Sequence, residues 1–151
     1  MCFLLLSAPA CGKINNPGFP PDEFSSGNFS MNIVASGSCT TLAHAGRNRT
    51  WKMGLEKTRS EVVAWMEGWG DSATVFSQTT LTGSATGSSL MLTGAIYDTI
   101  TGCTQSLCYR AEGAISATQS GNVINGTLSG VLTYDTTTCP ASDHKVTFTR
   151  Q

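Results

Sequence analysis

From Gly27 onward, apolar and polar residues alternate in eight runs separated by turn residues. That period of two belongs to strands with one buried face. The first run places Phe29, Met31 and Ile33 on one side, and the second places Trp51, Met53 and Leu55. The third, Glu61 to Gly68, is apolar on both faces, with Val63 and Trp65 on one and Val62, Ala64 and Met66 on the other. The fourth is weak, around Ala73 to Thr82. Leu90, Leu92 and Ile96 share a face of the fifth; Tyr109, Ala111 and Ile115 share one of the sixth. Ile124, Leu128, Leu132 and Tyr134 line the seventh, and Val146 and Phe148 the last. The opposite faces carry Ser30, Asn32, Thr50, Lys52, Glu56, Asn125, Thr127, Ser129, Thr147 and Thr149. No stretch shows a helical period, so the fold class is all-β.

Short turns are expected near Thr58-Arg59-Ser60, between Gly83 and Ser89, and at Ser120-Gly121-Asn122. Long loops are expected at Gly37–Asn48, Asp98–Leu107 and Asp135–Asp143, with the turn Gly68–Asp71 among them. Successive connections of an up-and-down meander swap ends, so the long ones share one end. Cys39, Cys103, Cys108 and Cys139 therefore gather there. The expected architecture is a single eight-stranded antiparallel meander barrel, stapled by disulfides at the long-loop end. A two-sheet β-sandwich is the alternative, because turn positions alone leave Greek-key crossings open.

In a closed, even-numbered barrel the first and last strands are antiparallel neighbours. Cys39 is then expected to bond Cys139, and Cys103 to bond Cys108. A bond spanning about 100 residues stabilises by roughly 4–5 kcal/mol on the chain-entropy model. Gly94, Gly126 and Gly130 fall on or near inward positions; glycine inside a strand marks a bend or a close backbone approach. They favour a small, tightly curved barrel and leave the interior short of side-chain volume. Apolar-in is favoured over an apolar-out membrane barrel by the scarcity of Tyr and Trp for two aromatic girdles, the cysteines, and the terminus Phe148-Thr149-Arg150-Gln151.

Charged residues make up 13% of the 151-residue chain, against roughly 25% in an ordinary soluble domain. Net charge is −1 and the pI about 6.0, which leaves no electrostatic footprint for nucleic acid. Arg47, Asn48, Arg49 and Lys52 form the one basic cluster and read as a solvated loop end. Before the barrel domain (27–151) stand two further segments. Residues 1–10 read as a partial signal peptide, apolar at Cys2–Leu6 and small-x-small at Ala8-Pro9-Ala10, without a preceding Lys or Arg. Residues 11–26, with Pro17, Pro20 and Pro21, read as a Pro/Gly-rich tether. No apolar run approaches the roughly 20 residues of a membrane helix.

Cys11 directly follows the small-x-small pattern, so the leader also resembles a bacterial lipoprotein signal, although Ala8 stands where Leu is usual. That resemblance makes Cys11 a lipidation candidate and a possible membrane anchor point. Even cysteine use in an exported chain makes disulfides the default reading, and the spacings fit no zinc template. Leader and Gly/Thr-rich meander together resemble the small exported β-barrel proteins of bacterial envelopes. In architecture, residues 27–151 are similar to the lipocalin and avidin group. Lipocalins open their first strand with Gly-x-Trp, whereas this chain has Gly27-Asn28-Phe29, so no functional residue is carried over.

Candidate chemistry is sparse. His44 and His144 each follow a cysteine of the expected pair by five residues, with Asp143 adjacent and Glu67, Asp71, Asp98 and Asp135 at the same end. A metal site or an acid–base pair can be drawn there, yet wet loop ends carry such residues anyway. No nucleophile elbow or phosphate loop is present. The sequons at Asn28, Asn48 and Asn125 are read as chance matches. Trp51 and Trp65 are expected to face one interior, with Trp69 in an open-end turn. The expected function is non-catalytic: an exported barrel of the bacterial periplasm or cell envelope holding a small apolar or amphipathic molecule. Trp51, Trp65, Trp69, Leu92 and Leu128 are the expected ligand contacts, without metal or cofactor. The alternative is an envelope protein-interaction or hydrolase-inhibitor module acting through disulfide-pinned loops, and an enzyme is the third reading.

Overall fold

Strands with one apolar face must bury it, and here they do so by closing the sheet on itself. The computed structural model describes residues 23–66, 78–79, 81–98 and 108–151. Its strands are β1 (Gly27–Val34), β2 (Asn48–Thr58), β3 (Glu61–Met66), β4 (Gln78–Thr79), β5 (Thr82–Thr86), β6 (Ser89–Asp98), β7 (Tyr109–Ser120), β8 (Val123–Tyr134) and β9 (Thr137–Arg150). A single-turn helix, α1 (His44–Arg47), sits between β1 and β2. β4 and β5 hold one register on β6, with Thr79 opposite Ile96 and Thr82 opposite Thr93, and together form one barrel strand. Neighbours in sequence pair antiparallel around the sheet, β6 pairs β7, and β9 returns to β1. The result is a closed eight-stranded meander barrel, not a sandwich.

The apolar faces turn inward. Phe29, Met31, Ile33, Met53, Leu55, Leu90, Leu92, Ile115, Ile124, Val146 and Phe148 form one buried cluster drawn from strands all round the barrel. Three expectations about connections change. The fourth strand extends to Thr86 and ends in a tight Gly87–Ser88 turn, so Gly83 to Thr86 is strand, its small residues pairing β6. The long loop expected at Asp135–Asp143 is a tight turn at Asp135–Thr136 followed directly by β9. The Gly37–Asn48 loop carries α1. The turn at Gly68–Asp71 and most of Asp98–Leu107 lie outside the described residues.

Closure is reinforced at its seam. β1 pairs β9 from Phe29 opposite Arg150 to Val34 opposite Lys145. Beyond Val34, the Cys39–Cys139 disulfide spans the gap, with a Cα–Cα distance of 5.6 Å. The Ser36 N–H also donates to His144 Nδ1 at 3.1 Å. The expected Cys39–Cys139 bond is therefore present. Cys108 is disulfide-bonded too; its expected partner, Cys103, lies outside the described residues.

A line of weak side-chain volume bends the wall. Gly94, Gly113 and Gly130 pair in one row across β6, β7 and β8. Gly94 and Gly113 adopt φ of 137° and 148°, backbone that L side chains rarely accept. A Cβ at Gly130 would meet the Glu112 carbonyl oxygen at 1.9 Å. The row runs into a β-bulge between Leu128 and Gly130 of β8 and His144 and Ala141 of β9. The extra β9 residue resets the alternation, so that Cys139 and His144, an odd number of positions apart, are both buried. At the short-turn end, Phe24 is buried and its N–H donates to the Gly87 carbonyl at 2.8 Å. The last residues of the expected tether thus pack against that end.

Candidate functional site

The inward stripe of β2 continues past Trp51 to Arg49, and that of β6 past Ile96 to Asp98. β7 begins beside them, with Tyr109 opposite Asp98 in the ladder. These four side chains meet inside the barrel at its disulfide end, although β2 and β6 are not neighbours in the sheet. Arg49 is ion-paired to Asp98 through Nη2 and Oδ2. The Trp51 indole Nε1–H donates to the same carboxylate oxygen at 3.1 Å. The Trp51 and Tyr109 rings lie 5.3 Å apart, tilted by 50°. The Arg49 guanidinium sits 6.0 Å from one ring and 5.7 Å from the other, within cation–π range.

The cluster is buried but not saturated. Asp98 is 3% exposed and Tyr109 fully buried, while the Arg49 side chain keeps 23% of its surface exposed. Tyr109 Oη and Arg49 Nε, both enclosed, have no hydrogen-bond partner among the described residues. Burial pushes the Tyr109 phenol well above its ordinary value; the Arg49 charge opposes the rise and the Asp98 carboxylate adds to it. Its oxygen therefore keeps its proton and stands as a donor.

His144 forms a second buried polar point at this end. Because Nδ1 accepts from Ser36, the neutral ring carries its proton on Nε2. Among the described residues no acceptor reaches that Nε2 with hydrogen-bond geometry. Burial pushes the imidazole below its ordinary value, opposed by the Gly130 backbone, the Asp143 carboxylate and the Cys139 backbone. His44 lies elsewhere: it is exposed on α1 and lines an outer recess of about 340 Å³ with Ser36, Gly37, Cys39 and Arg47. The two histidines do not share a setting. Among the described residues, no three His, Cys, Asp or Glu side chains form a metal-binding group.

Of the expected ligand contacts, Trp51 belongs to the cluster. Leu92 and Leu128 are buried inside the barrel as core. Trp65 is a correction: it does not face the interior with Trp51 but lies on the outer face, 41% exposed. The reason is register. β3 turns Val62 and Ala64 inward, and Trp65 stands opposite Gly54 of β2. Its indole covers that glycine so closely that a Cβ there would come within 2.1 Å of the ring. Trp69, Glu67 and Asp71 lie outside the described residues. Arg49 was expected to be solvated and is instead the hub of the cluster. The signal was available, since Arg49 is in phase with Trp51, Met53 and Leu55.

No family model matches the chain, and neither a curated protein nor a solved structure does. The fold and the site's chemistry therefore carry the functional argument. The disulfide is compatible with an oxidising, exported location. Among the described residues, no helix is long and apolar enough to cross a membrane.

Proposed function

We propose that this chain is an exported, non-catalytic binding barrel that takes a small amphipathic ligand at its disulfide end. The contacts are Trp51, Tyr109 and Arg49 rather than the mid-barrel leucines. One observation carries the reading: among the described residues two enclosed donors, Tyr109 Oη and Arg49 Nε, are left unpaired beside a buried ion pair. An unpaired buried polar group costs about 1–3 kcal/mol, and a purely structural core would replace it with apolar surface. Aromatic faces next to a few convergent polar groups are the usual lining of a ligand site. In this reading the setting is the bacterial envelope, with lipid on Cys11 as the anchor.

A second reading, an envelope interaction or hydrolase-inhibitor module, draws on the loop after β1. That loop is pinned to β9 by both the disulfide and the Ser36–His144 hydrogen bond. The two readings separate in a screen of small amphipathic fragments followed on the tryptophan indole N–H signals. Ligands at the disulfide end shift the Trp51 signal and leave Trp65, on the outer wall, in place. Fragments that move only Trp65, or none that move either, overturn the binding-barrel reading.

A further inference from the structure

We propose, resting on the binding-barrel reading, that the ligand is an uncharged molecule presenting a carbonyl-type oxygen to Arg49 Nε–H and Tyr109 O–H. Its apolar body lies against the Trp51 and Tyr109 rings.

A donor and acceptor count leads there. The Asp98 carboxylate is the acceptor of the cluster, and it already takes hydrogen bonds from Arg49 Nη2 and Trp51 Nε1. What remains is two donors, Arg49 Nε–H and the Tyr109 hydroxyl, each enclosed and without a partner among the described residues. The guanidinium lies against the Tyr109 ring, so both donors belong to side chains in contact. A ligand that completes the cluster must therefore bring an acceptor.

Charge decides what kind. Among the described residues Arg49 and Asp98 cancel as an ion pair, so the pair itself offers no net charge to compensate an anion. A ligand carboxylate would share the enclosure with the Asp98 carboxylate, and like charges repel strongly away from water. A cation would meet Arg49. An amide, ketone or ester oxygen satisfies both donors without either penalty. The tilted pair of rings supplies an apolar wall beside that oxygen. The Arg49 side chain, about a quarter exposed, is the part of the cluster that reaches solvent, so it marks the route of entry.

Three probes of one shape test this: benzamide, benzoate and toluene, titrated against the intact protein. The Trp51 indole N–H is the reporter and Trp65 the internal control. Benzamide is expected to bind at least tenfold more tightly than either of the others. The Tyr109→Phe variant, which removes only the unpaired hydroxyl, is expected to bring benzamide down towards toluene while leaving toluene binding unchanged. If toluene or benzoate matches benzamide on the native chain, the ligand class is wrong. A Tyr109→Phe variant that keeps the full preference overturns it as well. In those outcomes the Trp51 signal still moves, so the binding site itself stands. If no probe and no fragment of the wider screen moves Trp51, the binding-barrel reading fails together with this one.

Discussion

At the short-turn end of the barrel, Phe24, Phe29, Leu90, Ile124 and Phe148 meet as apolar side chains, Phe29 and Phe148 edge to face at 6.4 Å. The buried polar group beside them, Gln119, is satisfied at both ends, by the Ser25 N–H and the Gly121 carbonyl. At the disulfide end Arg49, Asp98, Trp51, Tyr109 and His144 are the buried or half-buried polar and aromatic groups, and three of their polar atoms lack partners among the described residues. The first end gains stability from burial at roughly 25 cal/mol per Å². The second loses some of that gain to desolvated polar groups and is held by a covalent bond. Packing and cross-linking thus divide the barrel, and the end with polar side chains inside it is the one with chemistry to offer. Functional sites generally sit where local stability is sacrificed.

The largest test of that division removes the covalent element. Replacing Cys39 and Cys139 together by serine should lower unfolding stability by about 4–5 kcal/mol, the entropy of a loop of roughly 100 residues. Chemical denaturation of the oxidised parent and the double variant reads it. Hydrogen exchange should then rise around β1–β9 at the disulfide end before it rises near Phe148. A loss below about 1 kcal/mol would mean that the seam's hydrogen bonds and core suffice, and the contrast between the ends would shrink.

The next test sets the two ends against each other. Phe148→Ala opens a cavity in the apolar end and should cost about 3–5 kcal/mol. Asp98→Leu strands the Arg49 guanidinium and should cost about 2–3 kcal/mol, less than a fully enclosed pair because Arg49 is partly solvated. Adding Arg49→Met to Asp98→Leu should recover part of that loss, since apolar replacements of buried ion pairs are often neutral or better, while the Trp51 indole N–H stays without its acceptor. Denaturant midpoints of the singles and the double decide it. A double variant as unstable as Asp98→Leu would make the pair structural and remove the reason to read the cluster as a site.

How far these residues were legible in the sequence follows from what alternation can and cannot encode. Meander parity alone placed Cys39 beside Cys139, because closure of an even barrel fixes which strands meet. Arg49 is in phase with Trp51 and Met53, and Asp98 with Leu92 and Ile96, yet both read as wet loop-end residues in the sequence, and the structure buries Asp98 and half-buries Arg49. The general preference of charge for solvent argued the other way for Arg49. Only a partner across the lumen reverses that preference, and such a pairing is invisible along the chain. Trp65 sits in a run apolar on both faces, so its side depends on the register with Gly54. His144 is buried because of the bulge beside Gly130, and an extra residue in one strand leaves no mark in a Ser-Asp-His sequence.

The mildest test concerns that histidine. Above its ordinary value of 6.5 the His144 ring is neutral in both folded and unfolded chains and adds no pH dependence. Below 6.5 the unfolded chain takes up a proton that the folded chain resists, because burial lowers the folded value. Stability therefore falls as the pH drops below 6.5, and the fall levels off once the pH passes below the folded value. One proton changes stability by at most about 1.4 kcal/mol per pH unit, so the effect is smaller than the two above. Protonation would also put a second N–H against the Ser36 N–H and release the loop after β1 at that point. His144→Asn keeps an acceptor near the Nδ1 position and removes the titration. Melting temperatures at pH 7.5 and 5.5 should fall further for the parent than for His144→Asn. Equal falls would show that the imidazole is not the acid-sensitive element of the disulfide end, and would leave the disulfide and the Arg49–Asp98 cluster as what sets this end apart.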